Sequence, residues 1–302
     1  MPFPKTVIII AGPTASGKTR LAIDLALRYE TEIVSADSRQ CYREMNIGVA
    51  RPSVEELSQV RHHFIASHSI HDKVNAISFE QYALDIVHEL FRTKDIVIMA
   101  GGTGLYLKAF CEGMDEIPDV PSHIREGISA EYEAHGLPWL QQQVQLLDPR
   151  FYSSAEIHNP RRLMRALEVL QATGRSVLDF RRGSKAERDF RIVKWAIDIP
   201  RTKLADNINL RVDRMMEKGL LEEVKSLYPQ RHLNALQTVG YRELFAFIDG
   251  EMSLPAAVEQ IKINTRQYAK RQLTWFRKDE GYSWTGGFHT GAFDPLAGEN
   301  EK

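Results

Sequence analysis

Residues 6–19 read TVIIIAGPTASGKT, a β-branched apolar run that stops at a glycine and opens, eight residues later, into a helix-forming segment. Gly12, Gly17, Lys18 and Thr19 have the spacing G-x-x-x-x-G-K-[ST] with a strand before and a helix after, the context that defines a phosphate-binding P-loop. Such a loop sits at the carboxyl edge of a parallel sheet, so the motif constrains the fold to α/β. Within it, the backbone from Gly12, Pro13, Thr14, Ala15, Ser16 and Gly17 can turn its N–H groups around phosphate oxygens at a helix N-terminus. Lys18 can neutralise the charge, and the Thr19 hydroxyl can ligate Mg²⁺. The motif alone does not say whose phosphates are held or whether they are hydrolysed.

Further short apolar runs at 32–36, 95–100 and 192–199 read as strands, with helical segments between. That alternation implies a parallel sheet covered on both faces. The expected architecture is an α/β, P-loop NTPase-like core whose parallel sheet is flanked by helices, with an inserted helical domain. The expected division is 1–112 for the first part of the core, 113–185 for the insertion and 186–302 for a mainly helical remainder. The insertion follows the Pro-punctuated acidic linker IPDVP and reads as helices over 122–135, 137–147 and 160–173. The Gly-rich tail after Trp284 is expected to be loosely ordered.

With 302 residues and a net charge of −1, the overall charge says nothing about nucleic acid, but its distribution does. From Arg161 to Lys194 there are ten Lys/Arg against four Asp/Glu, and from Lys262 to Lys278 six basic residues and no acidic one. Glu112 to Glu133 is the reverse, with seven acids and one base. Such asymmetry fits polyanion-facing surfaces on a neutral protein. In NPRRLMRALEVLQATG, Asn159, Pro160 and Gly174 are start and stop signals for a helix. At about 100° per residue, Leu163, Leu167 and Leu170 share one side while Arg161, Arg162 and Arg165 share the other. Three arginines with no i+4 acidic partner suit an anion such as an RNA backbone. Cys41 and Cys111 lack metal-ligand spacing and are too few for a disulfide framework, as expected of a cytoplasmic protein. No apolar run is long enough to span a membrane.

Asp37, in IVSADSRQCY at the end of the second strand, lies on the edge where open α/β sheets bind ligands. It suits either a base for an acceptor or a helix cap. The third strand ends in AGGTGLYLKAF, where Gly101 and Gly102 permit close backbone approach and Thr103 opens a helix. A P-loop kinase of a small metabolite, with Asp37 as base, is open at this point. So is a non-catalytic RNA-binding module with a nucleotide switch.

Taken together, GPTASGKT, SADSRQCY, GGTGLYLKAF, NPRRLMRALEVL, QTVGYREL and TRQYAKRQLTWFR resemble the tRNA dimethylallyltransferase family, in the same order and over about 7–277. The resemblance implies transfer of a dimethylallyl group from dimethylallyl diphosphate to N6 of the adenosine 3′ of the anticodon, in tRNAs reading codons that start with U. It implies Asp37 as the base and the P-loop as holder of departing diphosphate with Mg²⁺, ATP being at most a look-alike ligand. Ser38, Arg39, Gln40 and Thr103 match contacts to the adenosine and anticodon loop, with Thr103 in the catalytic group. Arg125, Arg162 and Arg165 match tRNA contacts, beside Arg161 on the same cationic face. Arg211 matches a diphosphate contact, while Asn207 stands where many relatives carry another arginine. A cytoplasmic monomer binding the tRNA anticodon loop, without a membrane, completes the expectation. The related alternative is a prenyltransferase of free adenylate, which the basic segments disfavour.

Overall fold

The computed structural model describes residues 4–154, 157–181, 183, 185–286 and 293–296. Its elements are β1 (Thr6–Ala11), α1 (Lys18–Arg28), β2 (Ile33–Ser35), α2 (Val54–Gln59), β3 (His62–His63), α3 (Ala76–Leu90), β4 (Ile96–Gly101) and α4 (Gly104–Glu112). There follow α5 (Ser122–Leu147), α6 (Pro149–Ser154), α7 (Pro160–Thr173), β5 (Arg191–Ile197), α8 (Arg201–Glu217), α9 (Leu220–Leu227), α10 (Tyr241–Ile248), α11 (Leu254–Arg277) and β6 (Ser283–Thr285). The strands form one sheet in the order β3-β2-β4-β1-β5-β6, and every pairing is parallel. The α/β class follows.

Contacts divide the chain into two units, one comprising Met1–Gly113 with Glu187–Lys302 and the other Met114–Ala186. In the first, β1 is the inner strand: every one of its residues is buried, which accounts for its unbroken apolar run. Its two neighbours are β4 and β5, with Ala11 opposite both Gly101 and Ala196. Val7 and Ile9 pack into one core and Ile8 and Ile10 into another, so helices cover the sheet on both faces. Because all strands run one way, the P-loop, the β2 exit at Asp37 and the β4–α4 turn emerge on one edge.

Gly101 has room for no side chain: a Cβ there would lie 2.2 Å from the Ala36 carbonyl oxygen. Backbone cannot yield as a flexible side chain can, so Gly101→Ala is expected to destabilise by about 1–3 kcal/mol. A lowered urea midpoint with unchanged slope is the expected result; an unaltered midpoint would show that the sheet relaxes freely.

The second unit has its own core, built around Leu140, Val144, Leu163 and Leu167. The α5 span is two helices across a kink: Gly136 has φ 71° and ψ −167°, followed by Pro138. A residue in that conformation cannot continue a helix, and the break falls between the two helices expected from sequence. In α7, Asn159 caps the Arg162 N–H, Pro160 occupies the first turn and Gly174 closes the helix at φ 69°. Leu163, Ala166, Leu167 and Val169 are buried there.

The tail after Trp284 lies mostly outside the described residues. Its described part at 293–296 is held rather than loose: Arg28 donates to the Phe293 carbonyl at 2.8 Å and the Trp195 indole to that of Pro295 at 3.2 Å. Both cysteines are free thiols, and burial pushes each up to about 12, away from the thiolate form.

Candidate active site

The P-loop is set by backbone geometry. Gly12 has φ 148° and Gly17, which caps α1, has φ 89° in the left-handed region. Inside the loop, the Pro13 carbonyl accepts from Ser16 Oγ at 2.8 Å and from Lys18 Nζ at 2.6 Å. Burial pushes the Lys18 ammonium down to about 7, the Arg211 charge adds to the effect, and Asp37 opposes it. A cation so placed is destabilised until an anion joins it.

Helix α8 closes over the loop. Asn207 Nδ2 donates to the Ala15 carbonyl at 3.1 Å, and one turn further Arg211 Nη1 donates to Thr14 Oγ1 at 3.2 Å. Burial also holds Arg211 below the ordinary guanidinium range, with Glu56 and Asp37 opposing. Asn207 thus shapes the loop, while Arg211 brings a second desolvated cation beside Lys18. Thr14 has its N–H bonded to Gln272 Oε1 at 2.8 Å, so this amide serves loop shape rather than pointing at a ligand.

On the same edge, Asp37 Oδ1 accepts from the Arg39 N–H at 2.9 Å and the Gln40 N–H at 3.2 Å. One oxygen of this residue thus caps the turn that follows β2. Thr103 Oγ1 accepts the Ser38 N–H at 3.0 Å, and the Thr103 N–H donates to the Ala36 carbonyl at 3.2 Å. Tyr268 stands within the field of Asp37; desolvation first, then Asp37, pushes its phenol up to about 12. Asp37, Ser38 and Thr103 thus form one cluster with Lys18 and Arg211 inside its field.

Gln40 behaves differently. Its Nε2 donates to the carbonyls of Val49 and Ala50 at 3.2 and 3.0 Å. That amide braces the 37–51 loop, which Glu223 holds from the other side by accepting the N–H groups of Asn46, Ile47 and Gly48. Arg39 is half-buried, and its N–H donates to Asp37 Oδ1.

Two further residues stand near this edge, Tyr268 and Gln272, both from the TRQYAKRQLTWFR segment. Both lie on α11, whose exposed side carries Gln267, Lys270, Arg271, Thr274, Trp275 and Lys278 around an open cavity of about 400 Å³. The basic tract of α11 is thus partly solvent-facing; Lys262 pairs with Asp213 at 2.6 Å and Arg266 with Glu259 at 3.3 Å.

In the second unit, Arg161 and Arg162 are exposed and Arg165 is half-buried. The i+4 search by sequence overlooked Glu168 at i+3, which pairs with Arg165 at 3.4 Å and with Arg125 Nε at 4.0 Å. Arg125, Arg161, Arg162 and Arg165 belong to this unit and not to the one that holds Asp37. Among the described residues, no group of three or more His, Cys, Asp and Glu could hold a metal, and no helix is long and apolar enough to cross a membrane.

A family model described as IPP transferase matches residues 40–279. The chain is 45% identical over 279 residues to tRNA dimethylallyltransferase 1 of Bacteroides thetaiotaomicron, covering 92% of this chain and 91% of that protein. It is 47% identical over 278 residues to the tRNA dimethylallyltransferase of Christiangramia forsetii, covering 92% of each. Among solved structures, the full-length tRNA isopentenylpyrophosphate transferase of Bacillus halodurans superposes with a TM-score of 0.68 at 33% identity, covering 93% of this chain and 90% of that one. A eukaryotic dimethylallyltransferase acting on tRNA shares the fold with a TM-score of 0.77 at 24% identity, covering 98% of this chain and 77% of that one.

Proposed function

The chain belongs to the IPP transferase family, and from that premise we propose that it is a tRNA dimethylallyltransferase moving a dimethylallyl group from dimethylallyl diphosphate to N6 of the adenosine 3′ of the anticodon. The observation that carries this reading is the placement of the Asp37 carboxylate on the same sheet edge as a P-loop at which two desolvated cations meet, Lys18 of the loop and Arg211 of α8. The N6 amine attacks the allylic carbon, the carbon–oxygen bond to diphosphate breaks, and the amine proton passes to Asp37. An exocyclic purine amine is a weak nucleophile, so a fixed acceptor for its proton is what the step needs. Negative charge grows on the leaving diphosphate, opposite Lys18, Arg211 and the amides of the α1 N-terminus. Transfer of this kind needs no hydrolysis in the loop.

Mg²⁺ fits this donor set. The ion keeps waters and substrate phosphate oxygens and takes few protein ligands, a demand that the Thr19 hydroxyl at the start of α1 can meet. It would neutralise charge on the leaving diphosphate. Arg39, Ser38 and Thr103 are assigned to the flipped adenosine and its neighbours, and Gln40 to holding their loop. Arg125, Arg161, Arg162 and Arg165 supply phosphate contacts to tRNA, in a protein acting as a cytoplasmic monomer.

Incubation with undermodified tRNA, dimethylallyl diphosphate and Mg²⁺ should place one dimethylallyl mass increment on adenosine. ATP turnover without that increment would instead support the kinase reading, and prenylation of free adenylate but not of tRNA the third alternative. The arginine patch is checked separately. Arg162→Ala with Arg165→Ala should weaken tRNA binding and reduce its slope against log salt by about one to two. Glu168 already neutralises part of Arg165, which places the value nearer one. Binding of dimethylallyl diphosphate should be unchanged; equal loss for both ligands would point to misfolding.

A further inference from the structure

Helix α11 buries Ile261, Ala269, Gln272 and Phe276, a stripe in which one member is polar. Gln272 is only 6% exposed, whereas its neighbours Lys270 and Arg271 face solvent. Both ends of its amide are engaged. Oε1 accepts the Thr14 N–H at 2.8 Å, and Nε2 donates to the Gly102 carbonyl at 2.9 Å. The amide orientation is fixed by these partners, since an N–H can meet only the oxygen and a carbonyl only the NH₂ group. Gly102 makes room for it: a Cβ at that position would lie 2.2 Å from Nε2.

The two backbone groups that Gln272 joins belong to opposite halves of the proposed reaction. Thr14 lies in the P-loop, and its hydroxyl accepts from Arg211. Gly102 directly precedes Thr103, whose hydroxyl takes the Ser38 N–H beside Asp37. A single side chain from the far end of the chain therefore ties the diphosphate loop to the acceptor turn.

We propose that Gln272 is a positioning residue that sets the spacing between the diphosphate-holding P-loop and the Asp37–Thr103 cluster where the acceptor amine is deprotonated. The proposal rests on the transferase reading above. Bond formation needs reacting atoms about 3–3.5 Å apart, and a misplacement of about 1 Å costs on the order of 100-fold in rate. A tie of two hydrogen bonds across a buried gap holds that distance without touching either substrate.

The test compares wild type, Gln272→Leu and Gln272→Glu in single-turnover transfer, with separate equilibrium binding of dimethylallyl diphosphate and of tRNA. Leucine keeps the volume and removes both hydrogen bonds; transfer should fall on the order of 100-fold while each Kd moves less than about threefold. Glutamate reproduces the amide pattern only when protonated, its carbonyl oxygen accepting from Thr14 and its O–H donating to Gly102. Ionised, it repels the Gly102 carbonyl. The ratio of Gln272→Glu to wild-type rate should therefore rise about tenfold or more as pH falls from 9 to 6. A filler of the core would lose transfer only in proportion to the fraction of folded protein at each pH, so the signature is read as rate per folded molecule, with the folded fraction followed by circular dichroism.

Unchanged transfer in a folded leucine variant, losses confined to Kd, or a pH-independent glutamate ratio would each overturn the assignment. Should the leucine variant fail to fold, the glutamate ratio decides alone. Absence of transfer by wild type would instead overturn the functional reading, so the two failures are distinguishable.

Discussion

Asp37→Asn is expected to lower the single-turnover transfer rate by roughly 10²- to 10⁴-fold while leaving tRNA affinity near that of wild type. The separation follows from the two oxygens of this side chain. Oδ1 fixes the following turn through the Arg39 and Gln40 N–H groups, and the amide oxygen of asparagine can accept both. What asparagine lacks is a carboxylate to take the amine proton. The loop that carries Ser38 and Arg39 should therefore keep its shape, and a parallel fall in tRNA binding would show that the substitution had unfolded it. Undiminished transfer would refute the role of base and return Asp37 to a cap.

Lys18→Met should produce opposite effects on activity and stability. Transfer should fall by about 10²- to 10³-fold, the scale for removing one preorganised charge-stabilising group. The same change should raise stability, because methionine spans a similar length without a desolvated charge. Burial, with Arg211, holds the folded-state value of Lys18 near 7 against an ordinary 10.5. Between those values the unfolded chain binds more protons than the folded one, so wild-type stability climbs with pH across that window. Below about pH 7 the lysine is charged in both states and its full cost is present. Above 10.5 it is neutral in both and the cost is gone. Thermal melts in Mg²⁺-free buffer should therefore show the largest advantage of the variant near pH 6, shrinking as pH approaches 10. A variant less stable than wild type at pH 6 would contradict the electrostatic account. The pairing of lost rate with gained stability is what a strained functional cation predicts.

The core of this site was legible because its signals are local. The apolar run of β1, the glycines of the P-loop, the caps of α7 and the break between 135 and 137 each follow from a few adjacent residues. Strands β3 and β6 were not, since two and three residues carry no periodicity, and they form only because a neighbouring strand offers its edge. The contributions of α11 were hidden for a different reason. Gln272 bonds Thr14 and Gly102 across the chain, and nothing near it in sequence names those partners. One signal was present: a glutamine on the buried stripe with Ala269 and Phe276, where an apolar residue is expected. The basic residues Lys270 and Arg271 of the same helix lie on its exposed face. For Gln40 the structure adds what the motif does not say, that its side-chain amide is engaged with its own loop.

The place of β1 in the sheet also determines when the molecule can be completed. Residue 6 pairs with residue 96 on one side and residue 191 on the other. On a ribosome, the run Val7–Ile10 leaves the exit tunnel before either of its partner strands, and one of its edges has no partner until the whole helical unit has been synthesised. An apolar strand with an open edge is what invites association between nascent chains. The helical unit, with a core drawn only from its own residues, can fold during that interval. Translation speed through this middle segment thus governs how long the central strand stays exposed.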